Sequence, residues 1–164
     1  MTTSIASPTA PVGADVFERI LGAPGQLLAL EGPDSKTLID QFRTLVRHSG
    51  QAVYLWDADV GLSSLREAQA RVPGSQRLGQ ALRFVQQSIH FGVYLFLDLP
   101  MPLAASDMAL LRQFGKGQSE QLRRVVLVDP SPRLLEGLDD VIERIDCAPR
   151  REIRPRLRDG RWLL

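Results

Sequence analysis

Short apolar runs of strand length, set between longer stretches with helical periodicity, constrain this chain more than any other feature of it. Leu27-Leu28-Ala29-Leu30, Ala52 to Trp56, Val93-Tyr94-Leu95-Phe96-Leu97 and Arg124 to Val128 carry almost no polar residue in their interiors. A strand that is apolar on both sides has to be covered on both sides, and a parallel sheet between two layers of helices does that. Leu38, Phe42, Leu45 and Val46 fall on one face of a helix, as do Leu78, Leu82, Val85 and Ile89. The alternation predicts an α/β fold, a three-layer α/β/α domain around a mostly parallel five-stranded sheet with right-handed crossovers.

Punctuation divides the chain into these elements. Helices are expected over Asp15 to Leu21, from Asp34 or Ser35 to about His48, over Ser64 to Ala70, Arg77 to Ile89 and Ala105 to Phe114. Leu134 to Leu138 is long enough for one helical turn. Gly32-Pro33-Asp34, Pro73-Gly74, Leu99-Pro100-Met101-Pro102 and Asp129-Pro130-Ser131-Pro132 cannot continue a central strand or a helix interior. Asp57 to Gly61 is turn-like, and Val141 to Ile145 alternates apolar and charged residues as a half-exposed edge strand does. No internal repeat is present.

The 164 residues suit one domain, expected over 15–149. Residues 1–14 hold Thr, Ser, Ala and Pro, with no Lys or Arg and no apolar core, so they predict a disordered lead-in and not a secretory signal. No run approaches the roughly 18 to 20 apolar residues of a membrane helix. Cys147 stands alone and cannot form an internal disulfide, which favours a reducing compartment, the cytoplasm. The formal net charge of +1 conceals an asymmetry. From Cys147 onward six arginines face two acids, a net +4 that leaves −3 on the other 146 residues. A uniformly basic nucleic-acid surface is thereby excluded. The basic tail, 150–164, is most simply a solvated end. Alternatively, Arg150, Arg151, Arg154, Arg156, Arg158 and Arg161 attach to an acidic protein surface with Trp162 as apolar anchor.

Ligands of doubly wound sheets bind beyond the carboxyl ends of the strands, where three positions carry candidate chemistry. The first is Leu30-Glu31-Gly32-Pro33-Asp34-Ser35-Lys36-Thr37. A phosphate-binding loop needs Gly-x4-Gly-Lys-[Ser/Thr] here, with the lysine on the β/γ-phosphates, the hydroxyl on Mg²⁺ and backbone N–H groups around the phosphates. Lys36 and Thr37 match, but Leu30 and Ser35 stand where the glycines belong, and Pro33 has no N–H. The second is Asp98, placed after an apolar strand like a Walker-B acid that holds Mg²⁺. Leu99 and Pro100 follow it in place of a second carboxylate. The third is Trp56-Asp57-Ala58-Asp59, whose carboxylates suit a cation or, more simply, a turn. His48 and His90 are isolated, no His/Cys metal spacing or Gly-x-Ser-x-Gly motif occurs, and Asp139-Asp140 reads as surface charge.

One combination of short motifs goes further. Val53-Tyr54-Leu55-Trp56 is followed by Gly61-Leu62, Ala81-Leu82-Arg83-Phe84-Val85 and Tyr94-Leu95-Phe96-Leu97-Asp98. Leu110-Leu111-Arg112, Val125-Val126-Leu127-Val128-Asp129-Pro130 and an Ile145-Asp146 … Pro149 exit complete the series. Over about residues 24 to 149 this resembles the N-terminal half of a class of AAA-type ATPases of bacteria, cyanobacteria and plastids. In that class a P-loop-deficient RecA-like domain precedes the working ATPase module. The resemblance implies a RecA-like P-loop NTPase fold with a degenerate Walker A. It carries no hydrolysis, because the Walker motifs, sensors and arginine finger of the AAA module have no counterpart in these residues. The expected function is a non-catalytic adaptor or regulator with no cofactor, bound to a partner protein such as an AAA-type or other motor ATPase. The alternatives are a small Mg-ATP binder or NTPase using Gly32, Ser35, Lys36, Thr37 and Asp98, and an inhibitor of a larger assembly. Oligomeric state is left open.

Overall fold

A computed structural model describes residues 12–67, 69–88, 91–117 and 123–147. The elements run α1 (Val12–Leu21), β1 (Leu27–Glu31), α2 (Ser35–Ser49), β2 (Val53–Asp57), β3 (Gly61–Ser64) and α3 (Leu78–Gln87). They continue β4 (Gly92–Phe96), α4 (Ala105–Lys116), β5 (Arg123–Val128), α5 (Pro132–Leu138) and β6 (Glu143–Asp146). The sheet has six strands in the order β3-β2-β4-β5-β1-β6. All neighbours are parallel except β2 and β3.

Strand faces alternate, and each face builds its own core. Leu28, Leu30, Val53, Val93, Leu95, Val126, Val128 and Ile145 pack with α1 and α2 residues such as Phe17, Ile20, Phe42 and Val46. Leu27, Trp56, Tyr94, Phe96, Val125 and Leu127 pack on the opposite side with Leu82, Val85, Leu111, Phe114 and Leu134 of α3, α4 and α5. The expected three layers are present, with helices on both sides of a mostly parallel sheet. The chain leaves β1 through α2 toward β2 on one face, and leaves β5 through α5 toward β6 on the other. Adjacent strands β1 and β5 therefore send their connections in opposite directions, which makes their carboxyl ends a topological switch point.

Local signals set the helix ends. Gly50, at φ 72°, closes α2 in the left-handed conformation that glycine adopts without a Cβ penalty. Ser131 caps α5 by accepting the Leu134 N–H, with Pro132 at the first helical position, where its missing N–H costs nothing. Helix α1 begins at Val12, three residues before the boundary expected for the domain.

Two expectations are corrected. The sheet has a sixth strand, because Asp57 to Gly61 closes a hairpin. Asp57 Oδ1 accepts the N–H groups of Asp59 at 2.9 Å and Val60 at 2.8 Å, and Gly61 takes φ 83°. The hairpin register places Leu62 opposite Trp56, where both are fully buried. Among the described residues of Ser64 to Ala70 the expected helix does not form. The Ser64 Oγ accepts from the Arg66 and Glu67 N–H groups, an alternative to helical pairing, and the Ser64 N–H is donated to the Ala70 carbonyl.

Candidate functional site

Each parallel strand ends at, or within two residues of, a carboxylate: Glu31, Asp57, Asp98, Asp129 and Asp146. The carboxyl edge therefore carries five acids, of which Glu31 stands 3.9 Å from Arg144. Asp98 (φ 47°) and Asp129 (φ 50°) hold the left-handed conformation, as does Gly32 (φ 73°) after β1. Aspartate tolerates that region better than most residues, because its short side chain can hydrogen-bond locally.

Three residues, Gly32, Pro33 and Asp34, join the last residue of β1 to the first of α2. Ser35 opens the helix, and Lys36 and Thr37 lie exposed in its first turn. The Thr37 hydroxyl donates to Asp34 Oδ2 at 2.7 Å. Asp98 is exposed and lies beyond β4, separated from this turn by β5 and hence by two strand spacings, about 10 Å. Between them stands Asp129, whose N–H is donated to the Leu30 carbonyl at 2.8 Å. The sequence carries the same pattern for Asp129 as for Asp98, an apolar strand followed by an acid, and sequence reasoning passed it over as a loop.

Other candidates have ordinary structural roles. Asp57 and Asp59 form the hairpin turn described above. Asp140 is held by the Arg112 guanidinium through bonds of 3.0 and 2.7 Å, which keeps its carboxyl below the usual range, and Asp139 pairs with Arg144 at 2.9 Å. Among the described residues no group of His, Cys, Asp or Glu has the arrangement of a metal site. His90 lies outside the described residues, as do Arg150, Arg151, Arg154, Arg156, Arg158, Arg161 and Trp162.

A cleft of about 420 Å³ opens at the same edge, between the ends of β2 and β4 and the first turns of α3 and α4. Its lining includes Trp56, Arg77, Gly79, Arg83, Pro100 and Asp107. Its wall is braced from within. The Trp56 indole N–H donates to the Ser75 carbonyl at 2.7 Å. The Ser75 hydroxyl accepts the Leu62 N–H at 2.8 Å and donates to the Val72 carbonyl at 2.6 Å. Gly79 leaves room for the Asp107 carboxylate: a Cβ there would stand 2.7 Å from Asp107 Oδ1. Sequence reasoning missed this cleft, because three separated segments build it.

Apart from Pro149, which lies outside the described residues, the motifs quoted for the AAA-type resemblance lie on this sheet, its helices and the turns after its strands, from β2 through β6. A family model described as "SpoVK-like AAA ATPase, N-terminal domain" matches residues 14–147. The chain belongs to that family. The match begins ten residues before the resemblance read from the motifs and takes in most of α1. A comparison with curated proteins found no match. Among the described residues no helix is long and apolar enough to cross a membrane.

Proposed function

We propose that this SpoVK-like AAA ATPase N-terminal domain is a non-catalytic adaptor that binds a partner protein, an AAA-type or other motor ATPase, in the cytoplasm. The fold is read as RecA-like with a degenerate Walker A. The β1–α2 connection carries this reading. It lies at the switch point, where a nucleotide would sit, yet it offers one glycine and a proline within three residues. A phosphate cradle needs a longer wrap of backbone N–H groups. The Thr37 hydroxyl, the group that would hold Mg²⁺, is donated to Asp34, and the surrounding edge carries acids that repel a polyphosphate. These residues fit Mg-ATP poorly. The basic tail, from Arg150 to Trp162, supplies an attachment point for an acidic partner surface.

Co-purification of the tagged chain from its native host tests the reading. A stoichiometric partner ATPase is expected under mild lysis. Recovery of the chain alone would overturn it. Deleting 150–164 should weaken capture if the tail is the attachment point, whereas an inhibitor acting through a sheet face would keep its target.

A further inference from the structure

The cleft between the ends of β2 and β4 does not end at the carboxyl edge. A second cleft of about 250 Å³ adjoins it, sharing Gln80 and Arg83. The two clefts lie side by side along α3 and meet at Gln80 and Arg83, spanning from Trp56 and Pro100 to the loop at Pro73 and Gly74, a groove in two parts. Phe84, in its second half, is 38% exposed, one of two large hydrophobic side chains exposed among the described residues. Arg77 and Arg83 line the first half, and neither is ion-paired among the described residues.

Composition marks the same surface. Residues 72–88 contain no Asp, Glu or Lys, and their charged side chains are Arg77 and Arg83, in a chain that is 24% charged. Depletion of Lys, Glu and Asp, with arginine and an aromatic retained, is the signature of protein contact surfaces. The walls are also preformed. Ser75, 1% exposed, ties its loop to Trp56, Leu62 and Val72, so a ligand has little backbone left to order.

We infer that this groove docks an acidic peptide segment of a partner protein, its carboxylates opposite Arg77 and Arg83 and an apolar side chain against Phe84. The inference rests on the adaptor reading and names the surface that reading leaves open. Charge selects the occupant. The chain's own 150–164, at net +4, has the same sign as the two arginines and is not the ligand. A nucleic-acid strand extended from the arginines across the sheet edge would meet Asp57, Asp98 and Asp129, whereas a short peptide meets Arg77 and Arg83 against one acid of the lining, Asp107.

Selection of random dodecapeptides displayed on phage against the full chain tests the inference. Enriched peptides should carry two or more Asp or Glu residues around an aliphatic or aromatic one. A fluorescein-labelled copy of the best should bind, by anisotropy, at least tenfold more weakly to Arg83→Ala, Phe84→Ala and Arg77→Glu. Arg43→Ala, on the opposite face, should leave affinity unchanged; the three arginine variants should melt with the parent because each site is exposed, and Phe84→Ala, which gives up some buried apolar area, should melt somewhat lower but cooperatively. Raising the salt should weaken binding. The inference falls if no acidic sequence is enriched, or if affinity is indifferent to Arg83→Ala and Phe84→Ala. It falls equally if sedimentation shows a dimer that Phe84→Ala dissolves, which would make a second copy the occupant. The two readings fail separately. A doubly substituted Arg83→Ala, Phe84→Ala chain that captures the native partner as fully as the parent overturns the groove alone. A parent chain that captures no partner overturns the adaptor.

Discussion

Ser75 shows how much one small polar side chain holds in place. It is 1% exposed, and its hydroxyl satisfies the Leu62 N–H and the Val72 carbonyl while its own carbonyl takes the Trp56 indole N–H. Ser75→Ala keeps the shape but strands a buried backbone donor, so a loss of about 1–3 kcal/mol is expected in urea unfolding. A change within experimental error would mean that the loop is not held by this hydroxyl. Cys147 makes a second prediction at this scale. Burial pushes its thiol from 9.0 up to about 11. At pH 8 the native thiol should react slowly with a disulfide reagent and quickly once unfolded in urea. The sign of the linkage follows from the raised value. Its contribution to stability is complete below pH 9, where the unfolded thiol is still protonated, and is lost as pH rises from about 9 to about 11. The urea midpoint of the parent should fall more steeply across that window than that of Cys147→Ala.

Among the elements, α1 depends on a residue of the sheet face it packs against. Arg124 on β5 is 5% exposed and donates its Nε–H to the Ile20 carbonyl at 3.3 Å and an Nη2–H to that of Leu21. These are last-turn carbonyls with no partner inside the helix, that of Ile20 also accepting the Ala23 N–H at 3.3 Å, at the end where a cation is favoured. Burial lowers the guanidinium's pKa, so holding the charge there costs free energy that the carbonyl bonds offset. Arg124→Met preserves most of the volume and removes the donors; about 2 kcal/mol of stability should go with them. Amide exchange should quicken in α1 before it does in β4, and uniform quickening would deny α1 this dependence. The same scale separates what could be read in advance from what could not. Strands buried on both faces announced themselves as apolar runs, and α2 and α3 as one-sided helices. Strand β3, Gly61-Leu62-Ser63-Ser64, gave no such signal, because one apolar residue in four shows neither period and its place depends on Trp56 across the hairpin. The β1–α2 turn and Asp98 were legible because strand ends are positions in a sequence. The groove along α3 was not, since Arg77 and Arg83 become neighbours of Pro100 and Trp56 only when the layers pack.

Over the whole molecule, topology and charge act together on the nucleotide question. The order β4-β5-β1 places Asp98 two strands from Lys36 and Thr37, with Asp129 between them, and every parallel strand brings an acid to this edge. A nucleotide would have to bring its polyphosphate to carboxylates at a turn with few N–H groups to receive it. Millimolar Mg-ATP or Mg-GTP should therefore leave the melting temperature of the full chain unchanged. The measurement is sensitive enough to decide. Ligand at 100 times its dissociation constant would stabilise the fold by about 2.7 kcal/mol. In a domain of this size that is a rise of about 10 °C. A rise of that order that Lys36→Ala abolishes would place a nucleotide at the β1–α2 turn and replace the adaptor with a nucleotide-binding protein. A rise that survives Lys36→Ala would put the nucleotide elsewhere on the chain and leave this turn as a strand-to-helix connection that has lost its cradle.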